Sequence, residues 1–367
     1  MIQKLHHYGI RGNILDWFKS YLSDRKQFTY VNGVSSKISN INRGVPQGSV
    51  LGPLLFLIYV NDIQHAFAKA TPKLFADDIN LFLFHKDIKS LFSIANTELE
   101  SLNSWLLSNK LSLSIGDGKD TKYTLFSPKT YPDVDKLPKL YIAGQTIPYT
   151  PTIKYLGVHL DYQLSFKDHI AKLKEKISKY VGIFYHVRHL LPPKSRRVLY
   201  FSFVFSHLYY CAEIYGNATN TNLKPLQILQ NRALRALQSR NKYFPINEMH
   251  KDYAILKVKD MIEYKQTKII HSLLTEAKRL PKVLKKLIVP VKNIHSHNTR
   301  NQNLIYEVKP RRAIGNRLLK CNASKKWNNL PKIVSLAGTH SEFKSEFYHL
   351  KLSSYEDSSL NFAANMY

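Results

Sequence analysis

The chain has 367 residues, 44% of them apolar, with 54 Lys and Arg against 26 Asp and Glu and a formal net charge of +28. That apolar content supplies a core and excludes wholesale disorder, and only two, widely separated cysteines, Cys211 and Cys321, exclude a disulfide framework or paired-cysteine zinc site and fit a reducing intracellular setting. The charge is uneven: residues 1–160 hold 18 basic and 12 acidic side chains, whereas residues 161–367 hold 36 and 14, so the second part is expected to meet a polyanion. The apolar run 50–60 includes Gly52 and Pro53 and is too short to span a bilayer, and residues 1–30 lack a signal-peptide core. A soluble protein with no membrane partner is expected.

In chain order, residues 13–22 put Ile14, Leu15, Trp17, Phe18, Tyr21 and Leu22 on one broad face and predict an amphipathic helix. Residues 27–42 alternate around Asn32-Gly33, a hairpin signal. The Gly/Pro-rich loop Arg43-Gly44-Val45-Pro46-Gln47-Gly48-Ser49-Val50-Leu51-Gly52-Pro53 leads into an apolar helix over 54–63. Residues 73–84 read as strand, tight turn, strand, with Asp77-Asp78 at the tip. Residues 88–107 predict a long helix carrying Leu91, Ile94, Ala95, Leu99, Leu102 and Leu106. Short strands are expected at 111–115 and 122–126, a loop over 128–139, and a closing strand set around Tyr155-Leu156-Gly157-Val158-His159-Leu160.

After residue 165 the apolar period becomes helical. Ile170, Leu173, Ile177, Val181 and Phe184 mark one helix, with Lys172, Lys174, Lys176 and Lys179 around it. Residues 195–215 predict a second helix and 223–240 a third, with Leu226, Leu229, Ala233 and Leu237 as its stripe and Arg232, Arg235 and Arg240 off it. Residues 255–280 continue helical, and the sequence beyond Pro281 is expected to be irregular and basic. Helices and strands mix rather than alternate, which predicts an α+β first part followed by a mainly helical remainder.

Asp77-Asp78 is the candidate pair for chemistry. Adjacent like charges repel, so a cation or a solvated turn must accommodate them. A pair of carboxylates at a hairpin tip suits the Mg²⁺ ions of phosphoryl transfer, and Asp also favours turns without any ligand. His6-His7 and His295-Ser296-His297 lack the spacing and company of zinc ligands, so no zinc is expected.

The ordered set of motifs decides between the two readings. The Arg43–Pro53 loop, Phe75-Ala76-Asp77-Asp78 and Tyr155-Leu156-Gly157-Val158 together resemble successive palm motifs of reverse transcriptases of the non-LTR, LINE-type retrotransposons, particularly the jockey-like branch. Tyr8-Gly9-Ile10-Arg11-Gly12, Trp17-Phe18-Lys19-Ser20-Tyr21-Leu22, Tyr59-Val60-Asn61-Asp62-Ile63, Asn109-Lys110-Leu111-Ser112-Leu113, His297-Asn298-Thr299-Arg300 and Lys326-Trp327-Asn328-Asn329-Leu330-Pro331 extend the likeness over nearly the whole chain.

The resemblance implies a partial right-hand polymerase: fingers and palm over 1–163, a helical thumb over 164–245 and a basic C-terminal region over 246–367. It implies RNA-directed DNA synthesis with an RNA template, a DNA primer and deoxynucleoside triphosphates as partners, acting in the nucleus. Asp77 and Asp78 would hold the two Mg²⁺ ions, and Arg43, Gln47 and Gly48 would meet the template and incoming nucleotide. Tyr155, Leu156 and Gly157 match the primer-grip turn. Lys172, Lys176, Arg232 and Arg235 would follow nucleic-acid phosphates.

The likeness also has gaps. The family's separate palm carboxylate, which faces the Asp pair, has no counterpart here: Asp16 lies in the helix over 14–22 and Asp24 just after it. The family's Lys-Thr proton-donor position reads Lys119-Asp120-Thr121-Lys122, so Lys119 and Lys122 are both candidates. Asp62 fits the family pattern but is expected to satisfy a local helix end, and Tyr209-Tyr210 is open between base stacking and core. The chain alone is therefore expected to be inactive or impaired. The alternative is a non-catalytic RNA- or DNA-binding remnant of a degenerate mobile element.

Overall fold

The computed structural model of the protein describes residues 1–41, 44–46, 48–115, 121–127, 136–241, 243–276, 280–294, 304–310, 315 and 318–355. The chain divides into two units, Met1–Tyr123 with Pro132–Tyr149, and Thr124–Tyr131 with Thr150–Tyr367.

The first unit begins with helices α1 (Ile2–His7) and α2 (Gly12–Leu22). Strands β1 (Arg25–Gln27), β2 (Tyr30–Val31), β3 (Val34–Ser35) and β4 (Ser39–Ile41) form nested antiparallel pairs, β2 with β3 inside β1 with β4. Asn32 and Gly33 make the β2–β3 turn at φ +49° and +83°, the left-handed pair that a twisted two-residue hairpin needs. Helix α3 (Leu51–Val60) passes into a 3₁₀ turn, Asn61–Ala66. Strands β5 (Thr71–Phe75) and β6 (Asp78–Phe82) form the acidic hairpin, and α4 (Ile88–Ser108) starts where the Asp87 carboxylate accepts the Ser90 N–H at 2.7 Å. A last hairpin joins β7 (Leu140–Ile142) to β8 (Gln145–Ile147).

Ile63, Phe92, Ala95, Leu102, Leu106, Leu140, Ile142 and Ile147 form the core beneath the acidic hairpin, and Leu5, Leu15 and Leu55 form a smaller one. The strands expected at 111–115 and 122–126 do not form. Leu111, Leu113 and Ile115 do alternate inward onto the core, but no described strand lies beside them to complete a ladder. Tyr123 forms an isolated parallel bridge to Tyr149 rather than a ladder.

The second unit opens with the hairpin β9 (Thr152–Tyr155) and β10 (Val158–Asp161), followed by α5 (Lys167–Val187). Asp161 is buried and accepts the N–H groups of Gln163, Ser165 and Phe166, which fixes the turn into α5. The helix expected over 195–215 is broken into α6 (Pro193–Tyr200), a π-helix at Phe201–Phe205, α7 (Ser206–Tyr209) and α8 (Ala212–Tyr215). Here Phe201 and Phe205 pack together at 5.1 Å while Phe203 turns to Tyr180 at 5.0 Å.

Helix α9 (Asn220–Gln238) buries Leu226, Leu229, Ala233 and Leu237, the stripe read from sequence, against α5. Helices α10 (Ile246–Asp252) and α11 (Val258–Thr275) follow. Beyond Pro281 the chain is more regular than its composition predicts: α12 (Lys282–Lys285), α13 (Leu319–Asn328), α14 (Lys332–Ser335) and α15 (His340–Ser353). Thr339 and Glu342 form a reciprocal capping box at the start of α15, and Phe343 and Phe347 bury its inner face.

Candidate active site and nucleic-acid interface

The acidic hairpin is positioned by alternation. Leu74 pairs with Ile79 and Pro72 with Leu81, and Leu74, Ile79 and Leu81 pack on the core. Phase then puts Phe75 and Asp78, which pair with each other, on the opposite, solvent face. Ala76 and Asp77 make the turn between them, with Ala76 left-handed at φ +51°. Both carboxylates are exposed and neither hydrogen-bonds nor ion-pairs with a described residue. Other acids of the first unit are committed elsewhere. Asp62 ion-pairs with Lys4 at 2.8 Å, Asp16 with Lys19 at 2.7 Å, and buried Glu98 accepts the N–H groups of Ala68 and Lys69. Asp62 thus serves a contact far away in sequence rather than the local helix end expected of it. Lys4 also lies over the rings of Tyr59 and Trp105.

Two adjacent carboxylates are hard oxygen donors of the kind Mg²⁺ takes. They fit in chemistry and fall short in number: no group of three or more His, Cys, Asp or Glu suited to a metal occurs among the described residues. A cavity of about 690 Å³ in the same unit brings three other motif segments together, namely Gly44, Val45 and Pro46, then Tyr59, then Asn109, Lys110 and Leu111, with Arg25 beside them. The loop above it is a built turn. Ser49 Oγ donates to the Pro46 carbonyl at 2.8 Å and accepts the Gly52 N–H at 2.9 Å, and Gly48 sits at φ +81°. Arg43, Gln47 and Lys119 lie outside the described residues. Lys122 is described and exposed, next to bridged Tyr123.

In the second unit, Tyr155 and Val158 pair across a two-residue tip made by Leu156 at φ +44° and Gly157 at φ +80°. Tyr210 touches this tip, its Oη donating to the Leu156 carbonyl at 2.6 Å. Its neighbour Tyr209 instead stacks on Phe205 at 4.9 Å under Lys265, so the two tyrosines part ways. Lys172 and Lys176 are exposed on one side of α5, with Lys172 Nζ 3.4 Å from His159 Nδ1. Arg232 is exposed on α9, whereas Arg235 is half-buried and its Nε has no partner.

Burial holds two histidines of this unit neutral. His169 and His250 are each pushed down to about 4 by desolvation, with the nearby His159 adding to the effect at His169. Sequence reasoning missed the role of the Lys326–Pro331 segment. Lys326 donates to Gln266 at 2.7 Å, Trp327 is buried, and Asn328 exchanges hydrogen bonds with the Ile305 backbone at 3.0 and 2.8 Å. Its signal was the buried tryptophan beside two amides, which is the chemistry of a clasp.

Residues 1–160 match the family model described as reverse transcriptase (RNA-dependent DNA polymerase). Over 255 residues it is 28% identical to the RNA-directed DNA polymerase from mobile element jockey of Drosophila funebris, covering 66% of this chain and 27% of that protein. It is 29% identical over 259 residues to the probable RNA-directed DNA polymerase from transposon BS of Drosophila melanogaster, covering 66% of this chain and 28% of that one. The probable polymerase from transposon X-element of the same fly is 26% identical over 255 residues, 66% of this chain and 27% of its own length. These relatives bear out the resemblance to LINE-type polymerases. The chain spans about a quarter of their length. No helix among the described residues is long and apolar enough to cross a membrane.

Proposed function

We propose that this chain is part of an RNA-directed DNA polymerase of a non-LTR retrotransposon and that Asp77 and Asp78 hold its Mg²⁺. The observation that carries the reading is the hairpin tip itself: two adjacent, exposed carboxylates with no described cation to neutralise them, on strands anchored by Leu74, Ile79 and Leu81. Divalent metal there, when bound, would activate a primer 3′-hydroxyl and neutralise triphosphate oxygens. The chain's own residues do the rest. Arg43, Gln47 and Gly48 meet template and nucleotide, Tyr155, Leu156 and Gly157 hold the primer, and Lys119 or Lys122 donates a proton to the leaving group. Lys172, Lys176, Arg232 and Arg235 neutralise phosphates of the RNA template and DNA primer. Residues 1–163 serve as partial fingers and palm, 164–245 as thumb and 246–367 as a basic C-terminal region, acting in the nucleus.

Two acids at the tip are fewer ligands than a two-metal site would need, so on this reading the chain alone is inactive or impaired. The described residues offer no third ligand in a metal-holding group. A primer-extension assay on poly(rA) with an oligo(dT) primer and Mg²⁺ tests this. The expected result is a bound hybrid extended little or not at all. Robust extension that needs Asp77 would overturn the claim of impairment, and failure to bind the hybrid would overturn the polymerase reading. A second reading, a non-catalytic RNA- or DNA-binding remnant, draws on the excess of 36 basic over 14 acidic residues in 161–367. It predicts salt-sensitive binding unchanged by Asp77→Ala and Asp78→Ala, with no metal bound at the pair.

A further inference from the structure

We propose that Tyr210 is a positioning residue for the 155–158 hairpin tip, and through it for the primer 3′-end; this rests on reading that tip as the primer grip. The tip is strained. A leucine in the left-handed region costs about 1–2 kcal/mol, and such a residue persists only where its surroundings hold it. Tyr210 supplies the hold. Its hydroxyl donates to the Leu156 carbonyl at 2.6 Å, and its ring lies 3.3 Å from where a Cβ on Gly157 would stand. The missing side chain at 157 therefore does two things: it permits φ +80° and it lets the ring close on the turn.

Tyr210 is itself aimed by a built break. The helix ends at Tyr209, Tyr210 turns extended at ψ 120°, and Cys211 is left-handed at φ +52°. The Tyr210 N–H still bonds the Ser206 carbonyl at 3.1 Å, so its backbone is tethered while its side chain leaves the helical face. The π-helix just upstream changes the phase of the residues after it, which separates Tyr210 from the Phe205–Tyr209 stack. Tyr210 remains 52% exposed, so its hydrogen bond adds little to global stability. Its effect is local, on the turn that it touches. The side chain runs from a residue beside left-handed Cys211 to the carbonyl of left-handed Leu156.

The test uses the whole chain and two RNA–DNA hybrids of equal length, one with a recessed DNA 3′-hydroxyl and one blunt, read by fluorescence anisotropy. The wild type is expected to prefer the recessed end. Tyr210→Phe, which keeps the ring and removes the hydroxyl, is expected to lower that preference about fivefold to tenfold, with blunt-hybrid affinity unchanged within about twofold and an unchanged melting temperature. Amide exchange at residues 156–158 is expected to quicken in the same variant, a local change that a merely supportive residue would not confine to the tip. A wild-type preference that survives Tyr210→Phe would overturn the role of Tyr210 alone. No preference in the wild type would instead overturn the primer-grip reading and this proposal with it.

Discussion

At the scale of single residues, left-handed backbone occurs at both hairpin tips that we propose as functional, as it does at other turns of the chain. Ala76, beside the acid pair, and Leu156, at the second hairpin tip, both adopt left-handed conformations that glycine would take freely. Ala76→Gly is expected to raise stability by up to about 1 kcal/mol in a denaturant melt, the relieved strain less the added chain entropy. A lower midpoint would show that Ala76 is not strained. The two buried histidines make a pH prediction. Their folded values, about 4, lie below the ordinary 6.5, so the unfolded chain binds more protons between those limits. Stability is then full above pH 6.5 and falls as pH drops toward 4. Equal denaturation midpoints at pH 7.5 and 4.5 would contradict this.

At the scale of elements, the strongest signals in the sequence were those with a strict local cause. The Asn32-Gly33 turn, the acidic hairpin and the α9 stripe were all legible because dihedral demand or apolar period alone specifies them. The exposure of Asp78 was legible for the same reason, since alternation fixes its face, and Asp77 follows from its place in the turn. Elements set by distant partners were not. The stretch 111–115 has strand alternation but no described strand beside it, and the Phe201–Phe205 crowding gives no one-dimensional sign of a π-turn. Helix α15 was obscured by its charge, although Thr339 and Glu342 announce it. Tyr210 could not be told from Tyr209 by spacing. Phe343 shows how much these hidden helices matter. Fully buried, it packs on Tyr264, His271 and Trp327, joining α15 to α11 and α13. Phe343→Ala is expected to cost about 3–5 kcal/mol by chemical denaturation of the second unit, and a loss under about 1 kcal/mol would refute that joint.

At the scale of the whole molecule, charge is the organising quantity, with 54 basic and 26 acidic side chains. Binding to an RNA–DNA hybrid is expected to weaken steeply with salt. Replacing Lys172 and Lys176 together by Ala should flatten the slope of log affinity against log salt by roughly 1 to 2, as about two phosphate contacts are lost. An unchanged slope would remove those lysines from the interface. The account turns on whether the acid pair takes metal. Titration with Mn²⁺, followed by electron paramagnetic resonance of the free ion, measures that directly. The account predicts weak binding by the wild-type chain that Asp77→Asn with Asp78→Asn abolishes while hybrid affinity is kept. Mn²⁺ binding that is absent from the wild type, or unchanged in the double variant, would contradict it.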